Sequence, residues 1–369
     1  MGHMINAKEE LYHALAERLS RSPEGAPINE NLIALLHRLY TESEALVGSR
    51  FPLIPLPLAK IAAITGLEEA ELKPILDGMS DKGLVLDLPR KDSFNYMLAP
   101  VVVGFFEYTF MRTGDRLEMK ELAELFENYF NSEGVMQEMA GKDTKIMRTL
   151  VYEHVIPVAV ETEVVSYERA SEIIRLAGGG AISICPCRHE ASHMGKACDA
   201  PQEVCTSLGG AAEWIIRKGL GKPATADELL RVLDQTQKLG LVHLCDNVLN
   251  QPAYICHCCG CCCKMLSTIN KKNAFTTHPS NFMPSLDQDS CIGCGLCARK
   301  CPIDALEMTA SAGGKDMPHL LDGRCIGCGV CSSACPTKAL PMARRTTLHI
   351  PPADIKEKMT RIMLEKGRI

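Results

Sequence analysis

No run in this sequence is both long and apolar enough to cross a bilayer; the densest stretch, Met97 to Phe106, is too short for a spanning helix. No export signal opens the chain, and Met1-Gly2-His3 ahead of Met4 reads as a cloning remnant. A dinucleotide fingerprint is missing, as is a Walker loop, so neither NAD(P) nor ATP is predicted. Gly178-Gly179-Gly180 precedes an expected strand instead of joining a strand to a helix, and reads as a flexible turn. Flavin stays open, because some of its folds leave no short motif. Charge of one sign is not concentrated either: 40 Lys and Arg against 45 Asp and Glu leave a net charge of −5. That balance gives no support for nucleic acid or an acidic membrane as partner, and a mild negative field suits soluble electron carriers. At 369 residues and 46% hydrophobic, the chain is long enough for two or three domains with buried cores.

Cysteine is abundant. Nineteen thiols in a secreted chain would mean disulfides, but these are spaced like metal ligands and no export signal accompanies them. A reducing cytoplasm is the expected home, and oxygen-free metabolism follows from the ease with which exposed clusters and thiolates oxidise. One phrase occurs twice: Cys291-Ile292-Gly293-Cys294-Gly295-Leu296-Cys297 with Cys301-Pro302, and Cys325-Ile326-Gly327-Cys328-Gly329-Val330-Cys331 with Cys335-Pro336. Glycine between ligands lets the backbone wrap closely and aim N–H groups at sulfur, and Pro fixes the chain after the last ligand. Zinc is the plain alternative for any Cys-x-x-Cys, but four ligands in each of two copies, each closed by Cys-Pro, favour iron–sulfur cubanes.

Residues 285–342 resemble the bacterial two-cluster ferredoxins. The resemblance implies a ferredoxin-like 2[4Fe–4S] domain in which the Cys before Pro crosses to the other cluster. Cys291, Cys294, Cys297 and Cys335 would then hold one cluster, and Cys325, Cys328, Cys331 and Cys301 the other.

The N-terminal region, 1–150, is expected to be helical. Leu11, Leu15 and Leu19 recur at helical spacing, as do Leu32, Leu35, Leu36 and Leu39, with breaks at Ser22-Pro23 and Gly25 to Pro27. From about 55 to 98 the order helix (Leu58 to Ile64), turn, helix (Glu68 to Met79) and hairpin (Gly83 to Leu86) looks like a winged helix. DNA binding is disfavoured, because the second helix carries Glu68, Glu69, Glu71 and Asp77 against Lys73 and phosphates would repel it. Protein contact or scaffolding is the better expectation. Residues 100–150 continue as amphipathic helices with Leu117, Leu122, Leu125 and Phe126 on the apolar side.

The remaining eleven cysteines fall in 151–284. Helices are expected at Tyr167 to Leu176, Ala211 to Lys218 and Ala226 to Leu239 (capped by Thr225), with strands at Ala181 to Ile184 and Leu241 to Leu244. This is a Cys-rich α/β domain, and the whole chain an α+β multidomain protein. The thiols are expected in loops at element ends: Cys185 and Cys187, Cys198 and Cys205, Cys245, then the knot Cys256-His257-Cys258-Cys259-Gly260-Cys261-Cys262-Cys263. Six cysteines in eight residues are hard to explain by packing. A thiolate cage for zinc is one reading and additional iron–sulfur chemistry the favoured one. Adjacent cysteines on an extended segment point to opposite sides, so Cys258 and Cys259, or Cys262 and Cys263, should serve different centres or leave one unused. Cys185, Cys187, Cys198 and Cys205 are expected to combine with Cys256, Cys258, Cys259, Cys262 and Cys263 in one or two further clusters. The spacing leaves open which thiol serves which centre.

Cys185-Pro186-Cys187-Arg188, Cys198 with Cys205, Gly240 to His243, Asn247 or Asn250, and Ile255 to Cys263 together resemble a group of multi-cluster ferredoxin-type proteins of anaerobes, over about 145–345. The resemblance implies a cluster-bearing middle domain feeding a terminal ferredoxin, with Cys245 and Cys261 the members least readily carried over. His189, His193, His243 and His257 lie near cysteines but read first as structural; Arg188 either offsets cluster charge or forms a surface ion pair. A final helix within 346–369, about Asp354 to Lys366, is expected to bury Ile355, Met359, Ile362 and Met363 against the protein or a partner. Arg344, Arg345, Lys356, Lys358 and Arg361 could meet an acidic partner. The expected function is low-potential, single-electron transfer to a redox partner protein or oxidoreductase complex. A reductase with a catalytic middle cluster, or a redox-sensing winged-helix regulator, are the alternatives.

Overall fold

The fold is that of a computed structural model, which describes residues 2–113, 118–158, 166–310 and 314–369. It divides into two units: Met1–Lys142, His189–Ala197 and Ile362–Ile369 form one, and Asp143–Arg188 with Cys198–Arg361 the other.

The first unit opens with α1 (Gly2–Ser20), α2 (Glu30–Leu39) and α3 (Glu42–Ser49). The leucine spacing works as expected: Leu15, Leu19, Leu32, Leu35, Leu36 and Leu39 are all buried. Asn29 caps α2 by accepting the Leu32 N–H at 3.0 Å, and Thr41 with Glu44 forms a capping box on α3. Next come β1 (Leu56–Pro57), α4 (Leu58–Thr65), α5 (Glu69–Lys82), β2 (Val85–Arg90) and β3 (Ser93–Leu98), the strands paired antiparallel in the order β1-β3-β2. Gly66 and Gly83 end the two helices in the left-handed region. Then α6 (Phe106–Phe110), α7 (Met119–Asn131) and α8 (Val135–Ala140) follow. Leu122 and Phe126 are buried on α7 and Leu125 is half-buried, while Leu117 lies outside the described residues. The Phe106 ring meets Phe126 and Phe130 edge-on, at 5.2 and 4.9 Å between centroids. The apolar stretch from Met97 ends β3 and runs through buried Val101, Val102 and Phe105; no helix among the described residues is long and apolar enough to cross a membrane.

The second unit is built on a six-stranded sheet of β4 (Met147–Leu150), β5 (Gly179–Ile184), β6 (Glu203–Leu208), β7 (Gly221–Thr225), β8 (Val242–Asp246) and β9 (Tyr254–Cys258), in the order β4-β8-β9-β6-β5-β7. The expected alternation of helix and strand is present, and every neighbouring pair is antiparallel. Its helices are α9 (Ala170–Ala177), α11 (Gly209–Arg217), α12 (Ala226–Lys238) and α13 (Lys264–Lys272), and α10 (Pro186–His193) starts in this unit and continues into the first from His189. Ile173 and Ile174 of α9, with Leu229 and Leu233 of α12, share one apolar cluster with Leu150, Leu208 and Ile255. Thr225 does cap α12, in a capping box with Glu228. Tyr167 belongs instead to a short 3-10 turn, and the helix expected from there begins at Ala170.

Five cysteines leave the loops in which they were expected: Cys187 lies on α10, and Cys256 and Cys258 lie within β9. Cys205 lies within β6, and Cys245 lies within β8, fully buried in the apolar cluster, where it packs as a small hydrophobe.

The ferredoxin-like part pairs β10 (Phe282–Pro284) with β13 (Met342–Arg344) and β11 (Leu306–Ala310) with β12 (Asp316–Leu320), and carries the short helices α14 (Leu296–Lys300) and α15 (Val330–Ala334). The last helix, α16 (Ile355–Glu365), buries Ile362, but Ile355 is 51% exposed. Lys358 is buried instead, because its ammonium pairs with buried Asp246. Most of the expected basic patch is engaged within the chain: Arg344 pairs with Glu168, Arg361 with Glu357, and Arg345 donates to the carbonyls of Ser280, Phe282 and Cys325, while Lys356 is exposed.

Candidate metal centres

The two cysteine motifs are built alike. Gly293 and Gly295 (φ 69° and 68°) precede α14, which carries Cys297; Gly327 and Gly329 (φ 73° and 84°) precede α15, which carries Cys331. The Gly293 N–H donates to Cys291 Sγ at 3.4 Å and the Gly327 N–H to Cys325 Sγ at 3.3 Å. Ala305 donates to Cys301 Sγ at 3.2 Å and Ala339 to Cys335 Sγ at 3.3 Å. Such N–H···S bonds stabilise negative charge on sulfur and are a lever on cluster potential.

Each motif lines a small pocket between its cysteines. Cys291, Cys294 and Cys297 line one together with Cys335 of the second motif. Cys325, Cys328 and Cys331 line the other together with Cys301 of the first. Apolar walls (Leu296, Met308 and Leu340; Ile303, Leu306 and Ile326) close around the sulfurs. Four thiols around a cavity, with backbone N–H groups aimed at them, are a donor set that fits a cubane. The two sites differ in depth: Cys294 and Ile292 are exposed, whereas Cys328, Cys331 and Ile326 are buried. Burial pushes the Cys328 and Cys331 thiols upward, and bound iron would deprotonate them.

Gly327 illustrates how tightly this backbone is constrained. A Cβ there would collide with the Phe282 carbonyl and Ser280 Oγ, at a φ that L side chains avoid. Gly327→Ala is expected to cost about 1–3 kcal/mol, read as a lower Tm of the cluster-loaded protein. Gly323→Ala, at a similar φ of 67° with nothing within 4 Å of its Cβ, should cost less; equal losses would show that the close approach is irrelevant.

The other cysteines separate into two groups. Cys198, Cys259, Cys261 and Cys262 have all four sulfurs within 4.8 Å of one another. In the second group, Cys187 hydrogen-bonds Cys263, Cys258 bonds both Cys263 and Cys256, Cys256 bonds Cys205, and Cys185 is close to Cys256 and Cys263. The structure thus parts Cys258 from Cys259 and Cys262 from Cys263. The knot is extended only as far as Cys258; residues 260–262 turn, and Cys263 caps α13. Cys261 belongs with the first group, although its exposed position in an all-cysteine run offered little to single it out.

Arg188 stands between the groups and is 1% exposed, so a surface ion pair is not its role. Its guanidinium donates to the His257 carbonyl at 3.1 and 3.0 Å and to Cys259 Sγ at 3.8 Å, while Nε has no partner among the described residues. Burial opposes its charge, yet Cys185 and Cys259 more than offset that, so its pKa is raised. A buried cation with a spare donor amid thiols fits negatively charged metal–sulfur groups. Burial also pushes the Cys185 thiol up to about 12, so a metal is what would hold it ionised. Three of the histidines make structural hydrogen bonds: His243 and His257 meet Thr236 Oγ1 at 3.3 and 2.9 Å, with burial pushing His243 down to about 3, and His189 bonds the Phe110 carbonyl at 2.6 Å; Nε2 of His193 and of His257 are buried without a partner among the described residues.

The knot touches the ferredoxin-like part directly. Asn270 Nδ2 donates to the carbonyls of both Gly260 and Pro302, at 3.3 and 3.0 Å, and Pro302 follows Cys301.

Paired motifs around two cavities define a ferredoxin-type iron–sulfur module near the C-terminal end. Residues 290–343 match the family model of the 4Fe-4S dicluster domain, which makes this an iron–sulfur protein of the electron-transfer kind. Comparison with the curated proteins and with the solved structures gives no match.

Proposed function

We propose that the protein passes single electrons at low potential between a redox partner and an anaerobic oxidoreductase, in the cytoplasm. Cys291, Cys294, Cys297 and Cys335 hold one [4Fe–4S] cluster, and Cys325, Cys328, Cys331 and Cys301 the second; when bound, each supplies a one-electron couple. A third cluster takes its ligands from Cys185, Cys187, Cys205, Cys256, Cys258 and Cys263. The observation that carries the reading is the pair of cavities, each lined by three cysteines of one motif and one of the other. Exposed Cys294 makes the first cluster the port to a partner, and the Gly260–Asn270–Pro302 contact favours the second as the one that communicates with the knot.

Counting iron and acid-labile sulfide on protein prepared without oxygen, with EPR after dithionite reduction, tests this. About 12 sulfides per chain are expected, four per cubane. About 8 would remove the third cluster. Potentiometry should find the ferredoxin-type clusters in the lower part of the roughly −700 to +450 mV range open to such centres. Reduction of both near 0 mV would overturn the low-potential role.

The segment from β1 to β3 is read as a winged-helix-like unit that serves protein contact. Glu68 at the N-cap of α5 and Glu69, Glu71 and Asp77 along it are exposed, and Lys73 is already paired with Asp77 at 2.6 Å. No retardation of duplex DNA is therefore expected in either oxidation state at about 0.15 M salt; retardation in one state only would favour a redox-sensing regulator.

A further inference from the structure

We propose that Cys198, Cys259, Cys261 and Cys262 hold a single metal ion in tetrahedral thiolate coordination, a centre separate from every [4Fe–4S] cluster. Their sulfurs are mutually within 4.8 Å, with Cys198 and Cys259 3.6 Å apart and Cys261 and Cys262 3.7 Å apart. Thiolates about 2.3 Å from one tetrahedral ion stand about 3.8 Å from each other, by the geometry of the tetrahedron. Around a cubane each thiolate binds a different iron, so the body of the cluster keeps the sulfurs farther apart. The same chain displays that contrast: both ferredoxin-type sets line the walls of a pocket and the second group touches only in successive pairs, Cys187–Cys263–Cys258–Cys256–Cys205, whereas these four sulfurs all converge on one point.

The local chain explains the convergence. The turn at 260–262 folds Cys261 and Cys262 back beside Cys259, and Cys198 closes the fourth side. Gly260 allows the turn to lie flat on Pro302, whose carbonyl leaves no room for a Cβ. Cys258 and Cys263 flank the turn and engage each other in the second group. Four soft donors select zinc or iron over magnesium and calcium. A divalent ion with four thiolates carries a net charge of −2, which the Arg188 guanidinium, 3.8 Å from Cys259, partly offsets.

The inference concerns four cysteines that the proposed clusters do not use, and metal stoichiometry tests it independently of them. Cubanes contribute iron and sulfide in equal numbers, so the anaerobically purified full chain should carry one metal equivalent beyond its sulfide. If the ion is zinc, X-ray absorption at the zinc edge should show four sulfurs at about 2.3 Å. If it is iron, the Mössbauer spectrum should show one high-spin site outside the clusters. Cys261→Ala and Cys198→Ala should each lose that equivalent and no sulfide, and Cys245→Ala should lose nothing. Metal equal to sulfide in the unaltered chain, or joint loss of four irons and four sulfides in the variants, would overturn the assignment.

Discussion

Cys335→Ala should empty the site of the first motif, although Cys335 belongs to the second. Iron and sulfide should each fall by about four per chain. The reason is spatial: Cys335 lines the cavity of Cys291, Cys294 and Cys297, and its sulfur is already held by the Ala339 N–H at 3.3 Å. Cys301→Ala should act conversely, on the buried site. Combined variants make the test sharp, because two ligands of one cluster cannot remove it twice. Cys335→Ala with Cys294→Ala should lose no more iron than Cys335→Ala alone, whereas Cys335→Ala with Cys328→Ala should lose about eight. If the first pair loses about eight irons instead, each motif serves its own cluster and the crossed assignment fails.

What the sequence made legible follows from where the information sits. The ferredoxin-type module is encoded in short spacings repeated twice, and each required glycine reports a backbone conformation that can be inferred residue by residue. Leu32, Leu35, Leu36 and Leu39 report their helix face in the same local way. The middle cysteines are different, because their grouping is tertiary. Cys198 reaches Cys259 across 61 residues, and Cys205 nears Cys256 only because β6 pairs with β9. The alternation argument parts Cys258 from Cys259, and their sulfurs do fall in different groups at the point where the strand ends. It has no purchase on Cys262 and Cys263, where a turn passes into a helix cap. Periodicity likewise misplaced Ile355, because the pairing of Lys358 with Asp246 sets which face of α16 is buried, and no local pattern encodes that partner.

Arg188→Gln should lower the midpoint potential of the middle cluster by on the order of 100 mV. One unit charge about 6 Å away at an effective dielectric near 20 contributes roughly 3 kcal/mol, and one-electron couples shift by about 59 mV per tenfold change in equilibrium constant. The sign follows from charge: reduction adds an electron, a buried cation stabilises it, and loss of the cation favours the oxidised state. Arg188 has this leverage because it is almost wholly buried, close to Cys185 and Cys259, and fixed by two hydrogen bonds to the His257 carbonyl. Glutamine keeps a donor for that carbonyl but removes the charge. Arg188→Lys keeps the charge and loses the fork, so its potential should lie between the other two. A redox titration followed by EPR separates these cases, with the ferredoxin-type clusters as internal references. If Arg188→Gln retains its metal and all three potentials stay put, the guanidinium is a structural clamp on β9 and takes no part in tuning the centre.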